Sequence, residues 1–127
     1  MNSAVLDASA LMALLKGEPG GSAVAAALPG AAISAVNLAE VVSKLADAGL
    51  EESDIHESLD GLRLEVIEFD RQQAFEAGGL IAHTKVAGLS LGDRACLALA
   101  RRLAAAVLTA DRTWQSLALG VQVVLVR

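Results

Sequence analysis

Short apolar runs alternate with longer stretches of helical periodicity along the whole chain, and this alternation limits the fold more than any other feature. The runs are Ser3 to Leu6, Ala31 to Ser34, Leu64 to Phe69, Ala106 to Thr109 and Val121 to Val126, each of strand length and rich in β-branched or small apolar residues. Between them lie the helical segments. Asp7-Ala8-Ser9 leads into one that runs through Leu15 and is closed by Gly17, Pro19, Gly20 and Gly21, and an alanine-rich one covers Ser22 to Leu28 before the Pro29-Gly30 turn. Others span Val36 to Ala48, with Gly49 as its cap, then Glu51 to Leu62, Arg71 to Lys85, Leu91 to Ala105 and Asp111 to Leu119. Strand-helix alternation with such brief connections implies right-handed crossovers between parallel strands, and a parallel sheet must be covered on both faces. The expected fold is therefore α/β, a three-layer α/β/α sandwich about a central parallel sheet of about five strands, in a single domain over residues 1–127.

The 127 residues suit one domain, and a 54% hydrophobic content supplies a core even though only 2% of residues are aromatic. Ala, Val, Leu and Ile must build that core, which fits helices packed on a sheet better than an aromatic β-sandwich. In Val36 to Ala48, Leu38, Val41, Val42, Leu45 and Ala46 fall on one face and Asn37, Glu40, Ser43, Lys44 and Asp47 on the other. Cys96 is the only cysteine, so no intrachain disulfide forms, a cysteine-ligated zinc site is disfavoured, and a reducing cytoplasm is the expected setting. The opening apolar run from Ala4 to Leu15 is interrupted by Asp7, lacks a basic leader, and is well short of the roughly 20 apolar residues of a membrane span, so neither export nor insertion is expected. A net charge of −5 argues against a surface that attracts nucleic acid everywhere, unless several acids share a pocket whose field a divalent cation reverses.

Asp7 follows the first strand and Asp111 the fourth, where ligands collect in open parallel sheets. Each is also well placed as a helix N-cap. Asp93 has Cys96, Leu97 and Ala100 as its helical neighbours, an apolar sector in which an ionised carboxylate needs a cation, hydrogen bonds or a raised pKa; equally, it completes a capping box with Ser90. Glu40 stands four residues before Lys44, the spacing of an exposed pair contributing only about 0.3 kcal/mol. Four acids near one sheet edge would form an oxygen-rich site suited to Mg2+ or Mn2+.

The segments VLDASALMALL, ISAVNLAEVVSKL, LSLGDRACLALA and LTADRTW resemble the four acidic motifs of PIN domains, in order and over nearly the whole chain. More narrowly, the compact length and D-x-S opening resemble the VapC-type toxins of bacterial toxin–antitoxin modules. The resemblance implies metal-site and catalytic roles for Asp7, Glu40, Asp93 and Asp111, with Ser9 and Thr109 as supporting hydroxyls. It also implies that the first and fourth strands are central neighbours, and that the protein is an RNA-cleaving nuclease that forms a homodimer and is silenced by a cognate antitoxin.

Carboxylates about 4 Å apart repel by about 1 kcal/mol in water and about 4 kcal/mol at an effective dielectric of 20, so an empty acid cluster is strained and a divalent ion relieves it. Such an ion polarises a phosphodiester and activates water, acting singly or as a pair. Arg94, Arg112 and Lys44 adjoin the acid motifs as possible contacts for substrate phosphates, or are surface charges. His56 and His83 are expected on the surface, and Trp114 and Cys96 in the packing. Two other readings are a phosphoacceptor domain using Asp70, which lacks the lysine expected after a fifth strand, and a PIN-like binding module without catalysis.

Overall fold

The computed structural model describes residues 2–127. Its strands are β1 (Ala4–Leu6), β2 (Ala31–Ser34), β3 (Glu65–Ile67), β4 (Ala106–Thr109) and β5 (Val123–Leu125). They form one sheet in the order β3-β2-β1-β4-β5, with every neighbouring pair parallel. The helices are α1 (Ala8–Leu15), α2 (Gly21–Ala27), α3 (Ala35–Asp47), α4 (Glu52–Asp60), α5 (Arg71–Gly79), α6 (Ile81–Thr84) and α7 (Leu91–Leu103). Short 3-10 turns occupy Leu28–Gly30 and Arg112–Ser116.

Side-chain alternation along the central strands creates the layers. Val5 and Val107 pack on one face against α5 and α7, through Ala77, Ala95 to Ala100 and the buried Trp114. Ala4, Leu6 and Leu108 point to the other face and meet Ala10 and Val24 of α1 and α2. Beside them, Ile33 of β2 joins Leu11 and Met12 of α1 to Val41, Leu45 and Ile55 of α3 and α4. The expected three layers are present. The strand order reverses between β1 and β4, which is where such sheets open a crevice at their carboxyl edge. Leu6 lies in register with Leu108 and with Ile33, so Asp7, Thr109 and Ser34 follow at one level.

Several expected elements are shorter or broken. The helix expected over Arg71 to Lys85 divides at Leu80 into α5 and α6, immediately after Gly78 and Gly79, which hold a helix poorly. Residues 111–119 do not make an α-helix: Asp111 accepts from Thr113 N, which tightens the segment into a 3-10 turn that seats Trp114 in the core. Edge strands β3 and β5 are three residues each, pairing on one side only. In α3 the buried stripe is Asn37, Val41 and Leu45, whereas Val42 and Ala46 are exposed. Among the described residues no helix is long and apolar enough to cross a membrane.

Gly20 caps α2 with φ +95° beneath the end of the chain, and a Cβ there would lie 2.6 Å from the Val126 carbonyl oxygen. Gly20→Ala is expected to lose at least about 1–2 kcal/mol from the left-handed backbone alone, measurable as a lower urea midpoint with unchanged slope. Gly49→Ala, also left-handed but with open space around it, gives a smaller loss.

Candidate functional site

Asp7 occupies the corner between β1 and α1. Its extended backbone makes it the N-cap of α1, and Oδ1 accepts from Ala10 N at 2.8 Å. The side chain is 4% exposed, so both oxygens must be satisfied by protein. Ser9 Oγ lies 2.8 and 2.9 Å from the two oxygens, and Thr109 Oγ1 donates to Oδ2 from the end of β4. The hydroxyls also accept in turn: Ala110 N donates to Ser9 Oγ at 2.9 Å and Asp111 N to Thr109 Oγ1 at 3.0 Å. Ser9 and Thr109 thus form a relay that fixes the backbone around Asp111 relative to Asp7.

Asp93 stands in the first turn of α7, in the capping box expected from sequence: Ser90 N donates to its Oδ2 at 3.0 Å, and Asp93 N donates to Ser90 Oγ at 3.1 Å. Its charge also reaches Asp7. Burial pushes the Asp7 carboxyl above its ordinary pKa, hydrogen bonds from Thr109, Ala10 and Ser9 oppose this, and Asp93 adds to the rise. The Cys96 thiol is raised well above its ordinary value, first by burial and then by the negative charges of Asp7, Asp93 and Glu40. Cys96 is a buried packing residue and remains a thiol.

Glu40 is only part-exposed and forms no ion pair with Lys44 among the described residues. Its Oε1 instead accepts from Asn37 Nδ2 at 2.8 Å, and the same amide donates to the Gly92 carbonyl at 3.0 Å. Gly92 leaves space for this carboxylate, because a Cβ there would sit 2.5 Å from Oε1. Neither Asn37 nor Gly92 was expected from sequence in the site, although each immediately precedes or shares a helical face with a proposed acid. Asp111 caps the following 3-10 turn, with Oδ1 accepting from Thr113 N at 3.0 Å and Thr113 Oγ1 at 2.7 Å.

Of the basic candidates, Lys44 and Arg112 are exposed. Arg94 is turned inward, with Nη1 donating to the Ala77 carbonyl at 3.2 Å and Nε buried, so it ties α7 to the C-terminal end of α5. His56 and His83 are on the surface and Trp114 is fully buried, as expected.

The model of the PIN domain family matches residues 4–119. This chain belongs to the PIN-domain family. Solved structures agree over nearly the full length: a toxin–antitoxin complex from Klebsiella pneumoniae superposes with a TM-score of 0.78 at 22% identity, covering 98% of each chain. DNA-bound VapBC from Salmonella typhimurium gives 0.77 at 19% identity over 100% of both chains. VapBC2 from Rickettsia felis, bound to a promoter DNA fragment, gives 0.74 at 18% identity over 95% and 96%. At such identities the likeness is one of fold. No curated protein sequence matches the chain.

Among the described residues of this PIN domain three carboxylates are in ion pairs, and the four candidate acids belong to those that are not. Glu52, Asp70 and Glu18 have His56, Arg102 and Arg127 beside them, whereas Asp7, Glu40, Asp93 and Asp111 have no cationic partner among the described residues. Glu40, Asp93 and Asp111 are each held through one oxygen, and the second oxygen accepts no hydrogen bond among the described residues. Hard oxygen donors with uncompensated negative charge fit a divalent cation such as Mg2+ or Mn2+. Among the described residues no three acid, His or Cys side chains are grouped closely enough to hold an ion alone. The four acids expected to share one metal site are therefore not brought within joint coordinating distance of one another in this structure.

Because Asp7 binds its proton more tightly in the folded chain than in the unfolded one, folding is favoured at low pH and loses this contribution as pH rises past the ordinary carboxylate value. Asp7→Asn is therefore expected to be more stable than the parent PIN domain at pH 7 in chelator, with the difference shrinking towards pH 4. Urea titrations across that range check it; a difference independent of pH contradicts it.

Proposed function

We propose that this PIN domain is a metal-dependent endoribonuclease that hydrolyses RNA phosphodiester bonds, acting as the toxin of a type II toxin–antitoxin module. The observation that carries this reading is the buried Asp7 at the sheet's switch point, tied to Thr109 and through it to the backbone of Asp111, in a chain whose Asn37 also links Glu40 to the first turn of the helix that carries Asp93. Its support from comparison is that the similar folds include toxin–antitoxin complexes.

Asp7, Glu40, Asp93 and Asp111 would hold Mg2+ or Mn2+. When bound, such an ion supplies Lewis-acid activation of the phosphodiester and of the attacking water, and stabilises charge on the phosphorus oxygens. Ser9 and Thr109 keep the Asp7 oxygens fixed and set the backbone that carries Asp111. Asp93, held by the capping box, and Glu40, held by Asn37, bring two further charges from α7 and α3. Lys44 and Arg112, exposed beside two of these acids, are available to substrate phosphates; Arg94 is committed to α5. A cationic segment of the antitoxin would find a complementary field here. The protein is proposed to act as a homodimer in the cytoplasm, where a lone buried thiol persists.

A phosphoacceptor role is not favoured. Asp70 caps α5 through Gln73 N and pairs with Arg102, beside edge strand β3 and away from the central crevice.

Incubation with total cellular RNA and end mapping of the products is expected to show cleavage with Mg2+ or Mn2+ and none with chelator. Asp7→Asn and Asp93→Asn should each lower the rate by on the order of 10²-fold or more while the circular dichroism spectrum persists. Equal cleavage by parent and variants contradicts the reading.

A further inference from the structure

We propose that Asn37 is a positioning residue of this site, whose side-chain amide clamps the Glu40 carboxylate against the first turn of α7. The inference rests on the metal-dependent reading above. Asn37 is 1% exposed on α3, and its Nδ2 donates both to Glu40 Oε1 at 2.8 Å and to the Gly92 carbonyl at 3.0 Å. Two acceptors face this end of the amide, so only the NH2 group can occupy it. Oδ1 is consequently turned elsewhere, where it is buried without a hydrogen-bond partner.

A buried acceptor without a partner destabilises the fold. Leucine, of similar shape, would avoid that cost at this position, and the property it lacks is the pair of N–H donors. The use of an amide therefore serves the contact that those donors make. Glu40 has no ion pair among the described residues, and the Asn37 amide is the hydrogen-bond donor that reaches its carboxylate. Left to itself on a helix surface, Glu40 would swing towards solvent. Asn37 opposes that swing from α3, and Gly92 leaves the space that the carboxylate occupies, since a Cβ at Gly92 would stand 2.5 Å from Oε1 and 2.8 Å from Cδ. One amide thus links the second acid motif to the third and fixes the carboxylate before any ion arrives, the usual work of an outer-shell partner.

The test is Mn2+ binding to the protein without RNA, followed by the electron paramagnetic resonance signal of free Mn2+, alongside thermal unfolding in chelator. For Asn37→Leu the Mn2+ dissociation constant should rise about 10–100-fold, while the unfolding midpoint stays level or rises. In a Glu40→Ala background the same substitution should add nothing further, because it acts through Glu40. Gly92→Ala approaches the contact from the other side: alanine favours the helix, yet its Cβ displaces the carboxylate, so affinity should again fall with folding intact. Unchanged affinity in both folded variants overturns the role of Asn37 while leaving the metal site standing. Affinity loss in Asn37→Leu only together with unfolding, with Gly92→Ala at parental affinity, overturns it equally. A parent protein that binds no Mn2+ overturns the metal reading and this inference with it.

Discussion

The contact between the Thr109 hydroxyl and the Asp7 carboxylate joins the ends of the two central strands, and the rest of the site is built around it. It places a carboxylate in the interior, where an ionised group is several kcal/mol worse off than in water unless it is fully bonded. Ser9, Ala10 and Thr109 provide the donors, each hydrogen bond to a charged group contributing about 1.5–3 kcal/mol. They do not quite win: burial still outweighs them and the proton is held more tightly than usual. The surroundings of Asp7 are thus short of positive charge by construction, and Asp93 deepens the shortage.

The acids reach one edge because helices begin there. In a parallel α/β sheet the carboxyl ends of strands lead into helix N-termini, and N-termini favour short carboxylates as caps. Asp7 caps α1, Asp93 completes the capping box of α7, and Asp111 caps the 3-10 turn after β4. Capping Asp93 and Asp111 takes one oxygen each, so the structural and the site readings of these residues coexist. Glu40 is the exception, lying inside α3 rather than at its start, and a side-chain donor holds it instead of a backbone one.

Much of this was legible in sequence because strand length, helix period and cap chemistry are local. β2 and β4 match their expected bounds, α1 matches its end, and the Ser90–Asp93 box forms as read. What sequence could not show depends on tertiary contact. Asn37 looked like a solvent-facing polar residue, but α7 packs on that side of α3 and buries it. Arg94 reads in sequence as a surface charge or a phosphate contact, and its guanidinium instead serves the Ala77 carbonyl. The last expected helix is instead a 3-10 turn, capped by Asp111, that seats Trp114 in the core.

An acidic chain with a net charge of −5 is an awkward partner for a polyanion, and a cation in the crevice resolves this locally by reversing the field where the phosphate would sit. The proposed site and the overall charge then make one consistent picture. Anomalous scattering from Mn2+-soaked crystals examines it most directly. A peak bonded to carboxylate oxygens of the Asp7, Glu40, Asp93 and Asp111 set is the predicted result; an empty crevice at saturating Mn2+, or ions confined to other surfaces, would contradict it.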